Sequence, residues 1–213
     1  TDTFTEIDLP RFKKIKYFGS FWGMSKLKKL DLGNNPTLEC VFLKNVDVED
    51  DTIFENLNEI NVSKCKNLRV IDIEQAGEKF TELDLSSNDK LNSLGLEGLR
   101  GLKQLKMPET DNLKEIVVKE TALESLALEK YTKLDKVCVG GNQFNTLKIN
   151  MEQKTEKDIE NMYLLFDNNL KVEFISSKSG IVPNIKRLDN HNLWAGIVFS
   201  NYVVTDYEIP ECW

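Results

Sequence analysis

The stretch Phe80 to Asn150 repeats one apolar phrase, LxxLxL, almost without interruption: FTELDL, LNSLGL, LKQLKM, LKEIVV, LESLAL, LDKVCV and FNTLKI. The phrases begin at Phe80, Leu91, Leu102, Leu113, Leu123, Leu134 and Phe144, at steps of 11, 11, 11, 10, 11 and 10 residues. No single helix or hairpin makes a fixed step of that length. A constant step with inward-pointing apolar residues predicts a solenoid, in which each unit buries its hydrophobic edge only against its neighbours.

The phrase also runs upstream, as FTEIDL at Phe4, FKKIKY at Phe12, LKKLDL at Leu27, LECVFL at Leu38, LNEINV at Leu57 and LRVIDI at Leu68, broken by inserts at 18–26 and 46–56. Two series alternate. Odd units, starting at Phe4, Leu27, Leu57, Phe80, Leu102, Leu123 and Phe144, place Asn35, Cys65, Asn88 and Thr110 three residues after the last apolar position. Asn142 holds the equivalent place in an even unit. Stacked tight turns leave backbone groups inside the coil, and a side chain of this kind at each level satisfies them as a ladder. Cys65 is therefore read as a ladder member rather than a reactive thiol.

Strand side chains alternate, so the two residues flanking the middle apolar position point outward. On the odd face these give the candidate binding residues Asp31, Glu59, Asn61, Glu82, Asp84 and Gln104, acidic early and neutral to basic later, where Ser125, Ala127, Thr146 and Lys148 follow. On the even face the candidates are Phe42, Val70 and Asp72, and the row continues through Ser93, Gly95, Val117 and Cys138. The middle of that face, which also carries Glu115 and Lys136, is small or apolar, which a fully solvated face does not need. Burial of Val70, Val117 and Cys138 would mark it as covered.

With the alternation and ladder in view, segments such as DLSSNDKLNSLGL and VCVGGNQFNTLKI resemble the nested leucine-rich repeats called IRREKO repeats, in which units of 10 and 11 residues alternate. The resemblance spans roughly residues 4–150 and implies a leucine-rich repeat solenoid. Its strands would be parallel, stacked in coils of roughly 21 residues with two strand-like halves each, few helices and a divergent C-terminal cap. It further implies a non-catalytic recognition module that binds a protein or glycan through a solenoid face. The alternative is a structural spacer or scaffold without its own ligand. Such arrays are found in bacterial surface and secreted proteins, so the resemblance also implies a place at or outside the cell surface.

An open solenoid end exposes apolar residues and unpaired strand groups. Residues 151–213 are accordingly read as a capping segment of the same domain as the 1–150 array. Glu152 to Tyr163 predicts a short helix with Ile159, Met162 and Tyr163 on one side, and 161–169 a last half-unit with Leu164, Phe166 and Asn169 in phase. LKVEFI and LWAGIVFSNYVVTDYEI are rich in β-formers, with Trp194, Phe199, Tyr202 and Tyr207 expected to be partly buried.

Composition narrows the function. Among 213 residues, 28 Lys and Arg against 35 Asp and Glu leave a net charge of -7, which argues against nucleic acid and anionic membranes as partners. No apolar run has the length of a membrane span. The opening TDTFTEIDLP has no signal-peptide pattern and is compatible with a removed signal or lipidated cysteine before Thr1. Cys40, Cys65, Cys138 and Cys212 form no CxxC and are expected to be free thiols. The single histidine, His191, lacks the companions of a metal site or catalytic pair, so no metal, cofactor or enzymatic activity is expected. Gly140 and Gly141 read as a turn, the acidic Asp47, Glu49, Asp50 and Asp51 as a solvated loop rather than a calcium site, and Phe18, Phe21 and Trp22 as filling for the N-terminal edge.

Overall fold

The structure, a computed structural model, describes residues 4–9, 14–20, 24–44, 54–175 and 183–188. The expectations for Phe12, Phe21, Trp22, the acidic loop at 47–51, His191, Cys212 and the aromatic residues from Trp194 onward lie outside them. Apart from LESLAL and FKKIKY, each LxxLxL phrase becomes a short strand whose Leu, Ile and Val residues point inward and whose flanking residues point outward. The even units form β2 (Tyr17–Ser20), β4 (Cys40–Leu43), β6 (Val70–Glu74), β8 (Ser93–Glu97), β10 (Glu115–Lys119), β11 (Lys136–Gly140), β13 (Tyr163–Asp167) and β15 (Ile185–Leu188). They pair in parallel as one eight-stranded sheet, in the order β15-β13-β11-β10-β8-β6-β4-β2.

The odd units form β1 (Glu6–Asp8), β3 (Lys29–Asp31), β5 (Glu59–Asn61), β7 (Glu82–Asp84), β9 (Gln104–Lys106), β12 (Thr146–Asn150) and β14 (Lys171–Ile175). They make three separate parallel sheets, β1-β3-β5, β7-β9 and β12-β14. The protein is thus a parallel β-solenoid with two strands per coil. Among the described residues its one helix is α1 (Glu156–Asn161).

The even register stacks Phe18, Val41, Ile71, Leu94, Ile116, Val137, Leu164 and Ile185, at steps of 23, 30, 23, 22, 21, 27 and 21 residues. Regular coils therefore hold 21 to 23 residues, and the two long steps carry the 46–56 insert and α1. The inward rows of both series, among them Leu30, Val41, Leu57, Ile71, Leu83, Leu94, Ile116 and Val137, merge into one buried core. Burying each such side chain contributes about 1.5–3 kcal/mol.

Three local outcomes differ from the sequence frame. In the first even unit the strand pairs Phe18 with Val41 and leaves Tyr17 exposed, so the inward frame sits three residues later than FKKIKY suggests. Both series also continue past residue 150: β13 pairs with β11, β14 with β12 and β15 with β13. Leu164 and Phe166 are buried as expected for a half-unit, while Asn169 is exposed. The helix is shorter than Glu152 to Tyr163. Thr155 caps it through a reciprocal bond pair with Asp158, Ile159 and Met162 are buried beneath it, and Tyr163 already belongs to β13.

Candidate recognition faces

The turns are held by side chains that reach between coils. Asn35 Nδ2 donates to the Leu9 and Leu32 carbonyls at 3.1 and 3.0 Å. Cys65 Sγ donates to the Leu32 carbonyl at 3.1 Å, and Asn88 Nδ2 to those of Val62 and Cys65 at 3.0 and 3.1 Å. Thr110, only half-buried, bonds the Asp89 carbonyl at 2.7 Å. The next level is filled by Tyr131, fully buried, whose hydroxyl donates to the Pro108 carbonyl at 2.7 Å. Tyr131 lies three residues after Leu128, so the offset that marks Asn35 and Asn88 marks it too, although its bulk hides the equivalence.

Asn142 belongs to a second ladder, in the even turns. Its Nδ2 donates to the Val118 carbonyl at 2.9 Å and its Oδ1 accepts from the Thr121 hydroxyl at 2.7 Å. The same turns stack Gln75, Gly98, Glu120 and Gly141 with φ of 56, 69, 51 and 66°, a left-handed column that allows each N–H to reach the coil that follows. Gly141 ends it by donating to the Asp167 carboxylate.

Of the described cysteines, Cys65 in the ladder and Cys138 in β11 are buried, and Cys40 in β4 is half-buried. Cys40 and Cys65 are pushed up to about 11, and Cys138 to about 12, chiefly by burial. All three are free, and thiols of this kind are poor nucleophiles at neutral pH.

On the odd face the outward residues are open to solvent. Glu59, Glu82, Asp84, Gln104 and Lys106 are exposed, and Asp31 and Asn61 are half-buried. Asn61 Nδ2 donates to Asp31 Oδ1 at 2.9 Å, Lys29 pairs with Glu59 at 2.8 Å, and Lys106 reaches Glu82 at 2.8 Å and Asp84 at 3.3 Å. The Ser86 hydroxyl and N–H hold the Asp84 carboxyl below the ordinary range, and Lys106 adds to the effect. Further along, Ser125 to Ala127 do not pair as a strand, and a single bridge between Leu128 and Ile149 joins that coil to the next. The break leaves a shallow open cleft lined by Glu124, Ser125, Ala127, Gln143, Asn145 and Lys148.

The even face is different. Its outward residues Val70, Cys138, Asp72 and Lys119 are only 1%, 2%, 4% and 0% exposed, and Phe42 and Val117 are half-buried. Val70 and Asp72, candidate binding residues by sequence, are therefore not on an accessible surface. Asp72 lies over Gly95, where a Cβ would approach its Oδ1 to 2.4 Å, and accepts an ion pair from Lys44 at 2.6 Å. Lys44 also reaches Glu74 at 3.0 Å, and Lys119 pairs with Glu97 at 2.6 Å. Burial works against the Lys44 ammonium, but the Asp72 and Glu74 carboxylates outweigh it and raise its pKa. Burial likewise pushes the Glu74 carboxyl up, and the shared Lys44 opposes this only in part. A hydrophobic outward row and a buried charged row thus run side by side across the sheet.

These features define a parallel β-solenoid of leucine-rich units with one solvated, charged side and one whose outward residues are buried or half-buried. Among the described residues, no group of three or more His, Cys, Asp or Glu is placed to hold a metal, and no helix is long and apolar enough to cross a membrane. No protein-family model and no curated protein sequence matches the chain. Among solved structures, it is similar to the functional domain of InlJ from Listeria monocytogenes, a domain described as including a cysteine ladder. The two share 15% identity with a TM-score of 0.42, over 80% of this chain and 47% of the other. The chain thus spans about half the length of that structure. The solenoid is defined by its paired strands and ladders, independently of this likeness.

Proposed function

We propose that the protein is a non-catalytic recognition module of the nested leucine-rich repeat type, which takes a protein partner on its odd face. One observation carries this reading: the outward rows of the odd strands are charged and mostly solvent-open, whereas those of the even sheet from β4 to β13 are buried or half-buried. On β1, β3, β5 and β7 the outward groups are Glu6, Asp8, Lys29, Asp31, Glu59, Asn61, Glu82 and Asp84. Six carboxylates against Lys29 and, from β9, Lys106 leave an acidic excess that favours a partner presenting basic side chains, with association that weakens as salt rises. A rigid row of strands presents such groups without ordering cost. The repeat type favours a location at or outside the cell surface.

Charge reversal at Glu59 or Glu82 tests the reading. Binding of a saturable partner from the native surroundings should fall by about tenfold or more in each variant, as for lost interface charge pairs, with an unchanged circular dichroism spectrum. Equal binding by all variants removes the odd face as the site. Absence of any saturable partner favours the spacer reading instead, and a glycan ligand would show as binding insensitive to the charge reversals and to salt.

A further inference from the structure

Lys44, Asp72 and Glu74 bring one amine and two carboxyls together where water is largely excluded. Lys44 directly follows β4, and the register of β4 on β6 sets it level with Glu74 and one outward position from Asp72. Its Nζ lies 2.6 Å from Asp72 Oδ2 and 3.0 Å from Glu74 Oε1. Lys44 is 6% and Asp72 4% exposed. Beside them on β8, Gly95 leaves the space against the Asp72 carboxyl that a Cβ would fill.

We propose that Lys44 and Asp72 join through an amide between Nζ and Cγ, with Glu74 carrying a proton between the reacting groups. Starting from the ion pair, the Lys44 ammonium gives up two protons and its nitrogen lone pair forms the bond to Cγ. One Asp72 oxygen leaves with both protons as water. One cation and one anion thus become a neutral amide and water, with no oxidant or co-reactant.

In bulk water this condensation is opposed, because amine and acid are separately ionised and hydrated. Burial changes the balance, since an ion pair held away from water carries a desolvation cost that a neutral amide does not. Groups fixed in contact also react at effective concentrations of about 10⁵–10⁸ M. Burial disfavours the Lys44 ammonium, but the Asp72 and Glu74 carboxylates outweigh it and make the ionic form the resting one. The reactive form is the minor one in which a proton has crossed the 2.6 Å contact from Lys44 to Asp72. Glu74 is placed to take the second proton from Nζ and hand it to the departing oxygen, and burial, which pushes its carboxyl up, suits it to carry one. Lys119 and Glu97 meet at the same 2.6 Å, but the Glu97 side chain is 23% exposed against 6% for that of Asp72, so water competes there.

The bond has a place in the fold. Val41 to Ile71 is the 30-residue step that carries the 46–56 insert, and the amide closes this longest coil between residues 44 and 72. Such a tie holds β4 and β6 in register and removes loop entropy from the unfolded chain. The proposal does not depend on whether the odd face has a partner.

Intact mass and peptide mapping of the full chain test it. The folded protein should be one water molecule lighter than its sequence, and trypsin should leave residues 30–64 uncut at Lys44 and joined to 70–79 as a branched peptide. Lys44→Arg, which keeps a cation beside Asp72, and Asp72→Ala should both have the full mass and give linear peptides. Glu74→Gln should slow the appearance of the branched peptide by about tenfold or more. Full mass in the folded wild-type chain, with cleavage at Lys44, overturns the proposal. A lost water that maps to a linear peptide containing Asp72, the mark of a succinimide, or to another pair does so too, as does a branched peptide that forms equally fast in Glu74→Gln. The wild-type measurement needs no variant and decides even where a substitution prevents folding.

Discussion

Asn88 shows how much of the fold is held one residue at a time. Its amide donates to two carbonyls of the preceding coil, neither of which has access to water inside the turn stack. Asn88→Ala removes one donor from each, while the Val62 and Cys65 carbonyls keep the N–H groups of Cys65 and Leu68, so the loss should cost about 1 kcal/mol, read as a lower denaturation midpoint. Thr110→Ala, at a half-buried level of the same ladder, should cost less than half as much. The left-handed column gives a second expectation. Gly98 has φ of 69°, and an alanine there should destabilise by about 1 kcal/mol through steric conflict alone. Gln75 and Glu120 already occupy this conformation in their own coils, so Gly98→Ala should weaken the fold without abolishing it. Both ladders are local in sequence, which is why Asn35, Cys65 and Asn88 can be picked from the text by their offset. Tyr131 escapes because an aromatic ring in a turn reads as core filling.

At the scale of the element, the even sheet carries a charged row that its sequence does not announce. Lys44, Glu74, Glu97 and Lys119 sit at one level of consecutive strands, and alternation alone would place them in solvent. The Glu74 carboxyl has a raised pKa, so the folded state holds its proton to higher pH than the unfolded chain does. Its contribution is fully present below the ordinary glutamate value and is lost as pH rises through the folded value. Glu74→Gln should therefore flatten the pH dependence of unfolding free energy in the window above the ordinary glutamate pKa. Lys44 retains Asp72 in that variant. A wild-type slope in the same window would show that Glu74 is not desolvated. The odd units share the same phrase, yet they split into three short sheets, and Ser125 to Ala127 do not pair. Strand identity is legible from alternation, but pairing depends on the backbone of the neighbouring coil and is not.

Over the whole molecule, each coil touches only the coils beside it, so stability accumulates by nearest-neighbour contact. Hydrogen exchange should then be slowest in β8, β10 and β11, which have partners on both sides, and faster in β1 and β2, at whose end Phe4 and Tyr17 are exposed. Uniform protection would indicate all-or-none unfolding of the array instead. The sequence by itself determined the solenoid, its two strand series and its inward rows, because a period near eleven residues is written into consecutive units and each unit's packing is repeated in the next. It also marked Asn35, Cys65, Asn88 and Asn142 as turn residues, through offsets within single units. Only the tertiary structure decided that the first even strand centres on Phe18, that the array runs to Leu188, and that Val70, Asp72 and Cys138 are buried while Glu59, Glu82 and Asp84 face water. LxxLxL is the same phrase on both sides of the coil; which side meets solvent is fixed by contacts between residues far apart in the chain, and no local period encodes them.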